Sequence, residues 1–234
     1  MDENRDKPRA RKSARELHAK AQDSFKNTPD LRLGKASAYS YVHDPKHLGF
    51  VLARYKFCAK MLQAKERVIE VGGGDGIGLA VVAEAVGHLT MVDWDETQLD
   101  DVKKRQAHLS NVSYLLHDMN QSAPPIMADA AYMVDVIEHL EPKREADFMK
   151  NIIACLEPHG VLIMGTPNIT AESYATAASR TCHINLKSHD HLREMMAGYF
   201  HNVFLFGMND EVLHTGYAPM CHYLWAIGSD RRDR

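Results

Sequence analysis

The 234-residue chain has four cysteines, and no two are close: Cys58, Cys155, Cys182 and Cys221 stand far apart. That excludes a CxxC metal cluster or a disulfide framework and fits reduced thiols in a cytoplasm. No apolar run approaches the roughly 18 residues that a bilayer-spanning helix needs. The opening stretch, "MDENRDKPRARKSARELHAK", lacks the apolar core of a secretory signal, so a cytoplasmic protein without membrane partners is expected. Neither sign of charge dominates: 28 Lys and Arg against 31 Asp and Glu leave a net charge of −3. No global field draws such a chain to nucleic acid. There is no internal repeat and no low-complexity segment. Histidine is the abundant residue, at fourteen.

Regular patterning begins at Arg67. Short apolar segments at 67–71, 88–93, 112–116, 129–134 and 160–165 read as strands, and amphipathic stretches at about 76–86, 96–108, 143–157 and 189–199 read as helices. Strands alternating with helices imply a parallel sheet covered on both faces. Near the end, "NVFLFGM" and "HYLWAIG" both read as strands with no helix between them, so they pair antiparallel, at an edge of the sheet or within it.

Upstream, residues 1–28 read as a polar, basic arm, mobile or loosely helical and solvated. Residues 29–64 read as a helical cap, with Asp44 as N-cap and Pro45 at the first helical position. Leu48, Val51, Leu52, Tyr55, Cys58, Met61 and Leu62 give its helix one buried face. That helix caps a cleft or pairs with a second subunit in a homodimer. Residues 65–234 form the main domain. Met164, Met195, Met196 and Met220 read as core filling.

The decisive stretch is "RVIEVGGGDGIG", residues 67–78. A buried strand ends in glycines and a helix follows, which lets the backbone approach a ligand closely. Gly72 and Gly74 satisfy the first two positions of the dinucleotide fingerprint G-x-G-x-x-G, but its third falls on Ile77. The Gly-Lys-Ser/Thr of a phosphate-binding P-loop is absent. The spacing present is G-x-G-x-G, preceded by Glu70.

"EVGGGDG" resembles motif I, E/D-x-G-x-G-x-G, of class I S-adenosylmethionine (SAM) dependent methyltransferases, and the resemblance covers roughly residues 65–228. It implies a doubly wound α/β fold: a seven-stranded, mostly parallel sheet with an antiparallel last strand and helices on both faces. It implies SAM as cofactor and S-adenosylhomocysteine as product. Glu70, Gly72, Gly73 and Gly74 would seat the amino-acid end of SAM. Asp93 in "LTMVDWD" would bind the ribose hydroxyls with Asp95 behind it, and Trp94 would lie against the adenine. In "LLHDMN", Asp118 would meet the adenine amino group and Met119 would line the pocket, while His117 departs from the small residue common there. Asp135 falls to the cofactor as well.

On the acceptor side, "DVIEHLEP" is similar to a segment of ubiquinone-type O-methyltransferases and of small-RNA 2′-O-methyltransferases. It supplies the candidate catalytic groups Glu138 and His139, with His139 facing the cleft as general base, and His183 joins them from "CHINLKSHDHL". Asp135-x-x-Glu138-His139 also fits an acid-x-x-Glu-His pattern that binds a divalent metal in some relatives, with His183, His189 or His191 as fourth ligand. Such a set suits Mg²⁺ or Mn²⁺. The same Glu-His-Leu run is widespread in relatives that use no metal. No residue is therefore assigned to a metal, and a divalent cation is the alternative.

The long, histidine-rich segment at about 166–191 reads as an acceptor lid. Part of it resembles an H…S…L…F layout, at His183, Ser188, Leu192 and Phe200. Arg180, His183, Lys187 and His189 are candidates to hold an anionic or sugar-like acceptor. Asn209, Asp210 and Glu211 could wall the cleft, whereas His201, His214 and His222 read as surface or core histidines. The expected function is methyl transfer from SAM to a polar small molecule, at an oxygen of a sugar, nucleotide-sugar or phospho-metabolite. The alternative is an RNA 2′-O or other nucleic-acid methyltransferase, which the basic arm motivates; the balanced charge and the absence of an NPPY-type motif count against it. A non-catalytic SAM-binding module is the third reading, and the intact glycine motif stands against it.

Overall fold

Alternating apolar residues in the central strands build two hydrophobic layers, one on each face of a sheet. The computed structural model describes residues 13–26 and 28–232. The chain divides into two units, Met1–Arg32 and Leu33–Arg234. In the first, α1 (Ala14–Phe25) opens with a capping box. The Ser13 hydroxyl accepts the Glu16 N–H, and the Glu16 carboxylate accepts the Ser13 N–H at 2.8 Å. Much of the arm expected over residues 1–28 falls on 1–12 and 27, outside the described residues.

The second unit carries eight strands: β1 (Arg67–Val71), β2 (His88–Asp93), β3 (Val112–Leu116), β4 (Ala128–Val134), β5 (Leu156–Pro167), β6 (Phe200–Asn209), β7 (Val212–His214) and β8 (Tyr223–Arg231). Their order is β3-β2-β1-β4-β5-β8-β6-β7. The first five strands are parallel, and β8 inserts antiparallel between β5 and β6. The eighth strand is the difference from the expected seven. β7 lies in "MNDEVLHTGYAPM", and three residues are too few for an alternating pattern to show. A two-residue turn makes the hairpin, with Asn209 paired to Val212 and Asp210 at φ 51°.

The helices of this unit are α2 (Lys35–His43), α3 (Pro45–Met61), α4 (Leu79–Ala83), α5 (Glu96–Arg105), α6 (Glu145–Ala154), α7 (Ala177–Cys182) and α8 (His189–Ala197). On one face of the sheet Ile69, Val71, Met133 and Met164 pack with Phe148, Met149 and Ile152 of α6 and Leu192 and Met196 of α8. On the other, Val68, Met91, Tyr132, Ile163 and Trp225 pack with α3, α4 and α5 through Tyr55, Phe57, Leu79, Val82 and Val102. The buried face of α3 is thus engaged with the chain's own sheet. Asp44 stands at its N-cap but makes no side-chain capping hydrogen bond; Pro45 follows at the first turn. Met61, at the last position of α3, is 46% exposed, and Met220, on a 3₁₀ turn at Ala218–Met220, is 74% exposed, so neither fills the core as expected. No helix of the described residues is long and apolar enough to cross a membrane.

Trp225 is fully buried, with its ring 4.7 Å from that of Phe57, and its indole N–H makes no hydrogen bond. Trp225→Ala is expected to cost about 3–5 kcal/mol, lowering Tm by roughly 10 °C. Trp225→Phe forfeits no hydrogen bond and costs less than half as much. Thermal and urea denaturation of both variants checks this.

Candidate functional site

After β1 the chain turns sharply, with Gly72 at φ 70° and Gly74 at φ 54°. Both values lie where side-chain-bearing residues are strained. A Cβ at Gly72 would press on Val136 at 2.8 Å, whereas one at Gly74 would meet no atom within 4 Å and face open space. The loop is held from three sides. The Gly72 N–H donates to the Val92 carbonyl at 2.9 Å, and the Arg105 guanidinium donates to the Asp75 carbonyl at 2.7 Å. The Asp75 carboxylate accepts the Ser37 N–H at 2.7 Å and the Ser37 hydroxyl at 3.0 Å. Ser37 is the third residue of α2, whose own N-cap is Gly34, so Asp75 caps that helix from a distant element.

Beside the loop, at the C-terminal ends of the parallel strands, lies a cleft of about 840 Å³. Gly72, Gly74, Asp93, Trp94, Asp118, Met119 and Asp135 line it, as does His139. Glu70 and Gly73 are absent from its walls. Glu70 pairs in register with Met91 on β2 and Tyr132 on β4 and is 1% exposed beneath the loop, where a Cβ at Gly73 would lie 3.0 Å from its carboxylate. Burial pushes the Glu70 carboxyl up to about 8; Asp93 adds to the rise and Tyr132 opposes it.

Asp93 closes β2 and accepts the Asp95 N–H at 3.0 Å; burial raises its pKa against that bond and other backbone N–H groups. Asp95 is not free to stand behind it, because its carboxylate caps α5 at the Gln98 N–H, 3.1 Å away. Asp118 is oriented by the Asn120 N–H at 2.8 Å, the Asn120 amide at 3.0 Å and the Gln121 amide at 3.1 Å. Burial pushes this carboxyl up, but those bonds outweigh it and hold it below its ordinary range.

A second cavity of about 430 Å³ lies among α3, the segment after β5 and the β6–β8 end of the sheet, and Asp135 lines both cavities. Asp135 adopts φ 57°, a left-handed conformation rare for a residue with a side chain. Arg54 of α3 donates to its Oδ2 at 2.6 Å and stacks on the Tyr223 ring, 3.9 Å from the centroid. Asp135 Oδ1, Glu138 Oε1 and Tyr223 Oη are buried without a hydrogen bond of normal geometry.

Glu138, His139 and His183 come together: each offers a ligand atom, and these lie within 4.8 Å of one another. Glu138 is fully buried and accepts the Thr166 hydroxyl at 3.1 Å. Burial pushes it up to about 8, with Asp135 adding and the Thr166 bond and Arg54 opposing. His139 Nδ1 sits 3.1 Å from the Cys182 carbonyl, so Nδ1 carries the proton and Nε2 is left as an acceptor. The His183 ring meets the His139 ring edge-on at 5.0 Å, and its pKa is lowered by burial and by His139, against Asp135. His189 and His191 stand instead on the first turn of α8, which Ser188 caps.

His183 is placed by a buried network that sequence reasoning missed. The Asn185 N–H donates to the Glu138 carbonyl at 3.0 Å, the Asn185 amide to Glu145 at 2.8 Å, and Lys187 to Asn185 at 2.7 Å and to Glu145. Lys187 is 7% exposed and turned away from both cavities, and Arg180 donates to the Ala175 carbonyl. Of the four side chains expected to face an acceptor, His183 lines the second cavity. Leu192 and Phe200 are core residues. His222, expected to be a surface or core histidine, lines the second cavity with Asp210.

Residues 43–199 match the family described as "Methyltransferase domain". A "Probable S-adenosylmethionine-dependent methyltransferase" of Mycobacterium tuberculosis is 30% identical over 101 residues, which are 43% of this chain and 35% of that one. The "Ubiquinone biosynthesis O-methyltransferase" of Rickettsia typhi is 24% identical over 112 residues, 47% of this chain and 45% of the relative. The chain thus spans between a third and half the length of these two relatives. Among solved structures, the methyltransferase domain of bacterial CtHen1-C superposes with a TM-score of 0.65 at 17% identity, covering 77% of this chain and 98% of that one.

Glu70 gives the site a pH signature. Its ordinary value is 4.5 and its folded value about 8, so the folded chain holds a proton that the unfolded chain has lost. Stability therefore falls as pH rises from about 4.5 to about 8 and then levels. Glu70→Gln is expected to flatten that slope, raising Tm by roughly 5 °C at pH 9 relative to the unaltered chain with little change at pH 5. Thermal denaturation across pH measures it.

Proposed function

This chain belongs to the methyltransferase-domain family, and we propose that it transfers a methyl group from SAM to an oxygen of a polar small molecule, in the sugar, nucleotide-sugar or phospho-metabolite classes. The observation that carries this reading is the meeting of two cavities at Asp135, one framed by the glycine loop, Asp93 and Asp118, the other by polar and aromatic side chains.

The first cavity suits SAM chemically. SAM has no pyrophosphate, so no helix N-terminus need hold a dianion. Its ribose hydroxyls call for an acid at the end of β2, where Asp93 stands. Asp118, oriented by Asn120 and Gln121, accepts from the adenine amino group; Trp94, 71% exposed at the wall, offers a flat face and Met119 a floor. Gly72 to Gly74 seat the amino-acid end, with Glu70 as the acid beneath them. When bound, SAM would supply a sulfonium methyl to an acceptor oxygen. As the C–S bond broke with its electron pair on sulfur and the C–O bond formed, His139 Nε2 would take the hydroxyl proton. Glu138 and His183 position that imidazole.

A second reading gives Glu138, His139 and His183 a divalent cation, and the orphaned Glu138 Oε1 favours it. Two imidazoles and a carboxylate suit Mn²⁺ better than Mg²⁺, which prefers an all-oxygen set. A bound cation would polarise the acceptor oxygen and ease loss of its proton.

Asp93→Ala is expected to weaken SAM binding at least about tenfold in calorimetry; intact affinity would dismiss the ribose assignment. His139→Ala is expected to lower turnover roughly 100-fold, much more than it lowers SAM affinity. Radiolabelled methyl from SAM should enter a metabolite extract and not RNA, and labelled RNA overturns the small-molecule reading. Turnover that survives EDTA supports His139 as base alone. Turnover lost to EDTA, with Mn²⁺ binding that disappears in His183→Ala, establishes the cation.

A further inference from the structure

We propose that the second cavity selects an unphosphorylated, hydroxylated ring as methyl acceptor and rejects a phosphate ester. The inference rests on the proposed methyl transfer and narrows its acceptor. Three carboxylates face this cavity: Asp135, Glu172 and Asp210. Arg54 is the one arginine or lysine among its lining residues, and it is committed to Asp135 at 2.6 Å and to the Tyr223 ring. Neither Glu172 nor Asp210 has an ion-pair partner among the described residues.

A phosphate dianion is held by Arg or Lys donors, or by open N–H groups at a helix start. In the segment after β5, Lys187 is engaged with Asn185 and Glu145, and Arg180, which does not line the cavity, donates to the Ala175 carbonyl at its edge. The six-residue α7 starts beside the cavity, yet Thr176 already caps it at the Ser179 N–H, 3.1 Å away. A phosphorylated ligand would bring its negative charges against three carboxylates in a lining whose one arginine is already paired and whose other basic groups are the imidazoles of His47, His183 and His222.

What the walls do offer is chemistry for hydroxyls. Asp135 Oδ1 is a buried acceptor and Tyr223 Oη a buried hydroxyl, neither with a hydrogen bond of normal geometry. Carboxylates of Glu172 and Asp210 accept from ring hydroxyls, or from an ammonium where the ring carries an amine. Tyr174 and His222, with ring centroids 6.1 Å apart, add two aromatic rings to the lining, against which the C–H side of a ring can pack. A volume of about 430 Å³ is that of a small-molecule site. Because Asp135 also lines the first cavity, a hydroxyl that enters beside the Asp135 carboxylate and the Tyr223 hydroxyl sits at the junction with the methyl donor.

The test incubates the full chain with methyl-labelled SAM and a metabolite extract of the cells that make the protein. Labelled product is separated from unreacted SAM by chromatography and passed over an anion exchanger at neutral pH. The proposal expects the label to flow through, unchanged by prior treatment with alkaline phosphatase. Label that is retained, and released after phosphatase or ribonuclease, overturns the proposal while leaving methyl transfer intact. No label in any fraction overturns the methyl-transfer reading itself. With the product's parent acceptor purified, the Glu172→Gln, Asp210→Asn double variant should raise its KM about tenfold at unchanged SAM affinity. An unchanged KM removes the two carboxylates from recognition.

Discussion

The contact on which the site turns is the ion pair between Arg54 and Asp135. It joins a helix that begins at Pro45, the end of a strand that closes at Val134, and, through the stacked ring of Tyr223, the last strand of the sheet. α3 can present Arg54 there because its neighbours Tyr55, Phe57 and Cys58 anchor the helix in the sheet's core. Asp135 must leave the strand at φ 57° to meet it, and that strained backbone aims the carboxylate at both cavities. One oxygen is held by Arg54, and the other is buried close to the Tyr223 hydroxyl. Removing one partner of such a pair leaves a partly buried charge uncompensated, which makes the junction all-or-none.

Buried acids mark the surroundings of this junction. Glu70 lies under the loop, Glu138 is fully buried beside His139 and His183, and Asp93 closes β2 with 7% of its surface exposed. Burial raises all three pKa values, so each acid costs stability that no packing argument would justify. Of the three, Asp93 lines the cleft itself, where a carboxylate can accept from hydroxyls, while Glu70 lies beneath the glycine loop. Of the loop glycines, Gly74 opens to the cleft, while Asp75, one residue on, ties the loop to α2.

Much of this was legible in the sequence because it is local. Strands β1 to β4 end within one residue of where apolar alternation stops, and an acid at a strand's end is carried to the sheet's C-terminal edge by the fold. That places Asp93 and Asp118 from their neighbours alone. What escaped depends on contacts between distant segments. Arg54 and Asp135 are 81 positions apart, and a helical arginine among lysines carries no sign of its partner. Lys187 looked available because its burial against Glu145 and Asn185 is set by how the segment after β5 folds back. Asp95 looked like a spare ligand for the same strand end, but the start of α5 needed a cap. β7 is too short to announce itself, and Met220 is apolar on a turn that has no core beneath it.

The central claim is that Asp135 marks where a methyl donor in the first cavity meets an acceptor in the second. A crystal structure of the chain with S-adenosylhomocysteine bound tests it most directly. The account predicts the ribose hydroxyls at Asp93, the adenine amino group at Asp118, and the sulfur directed past Asp135 toward the second cavity. A sulfur atom turned away from Asp135, or walled off from that cavity, would contradict it.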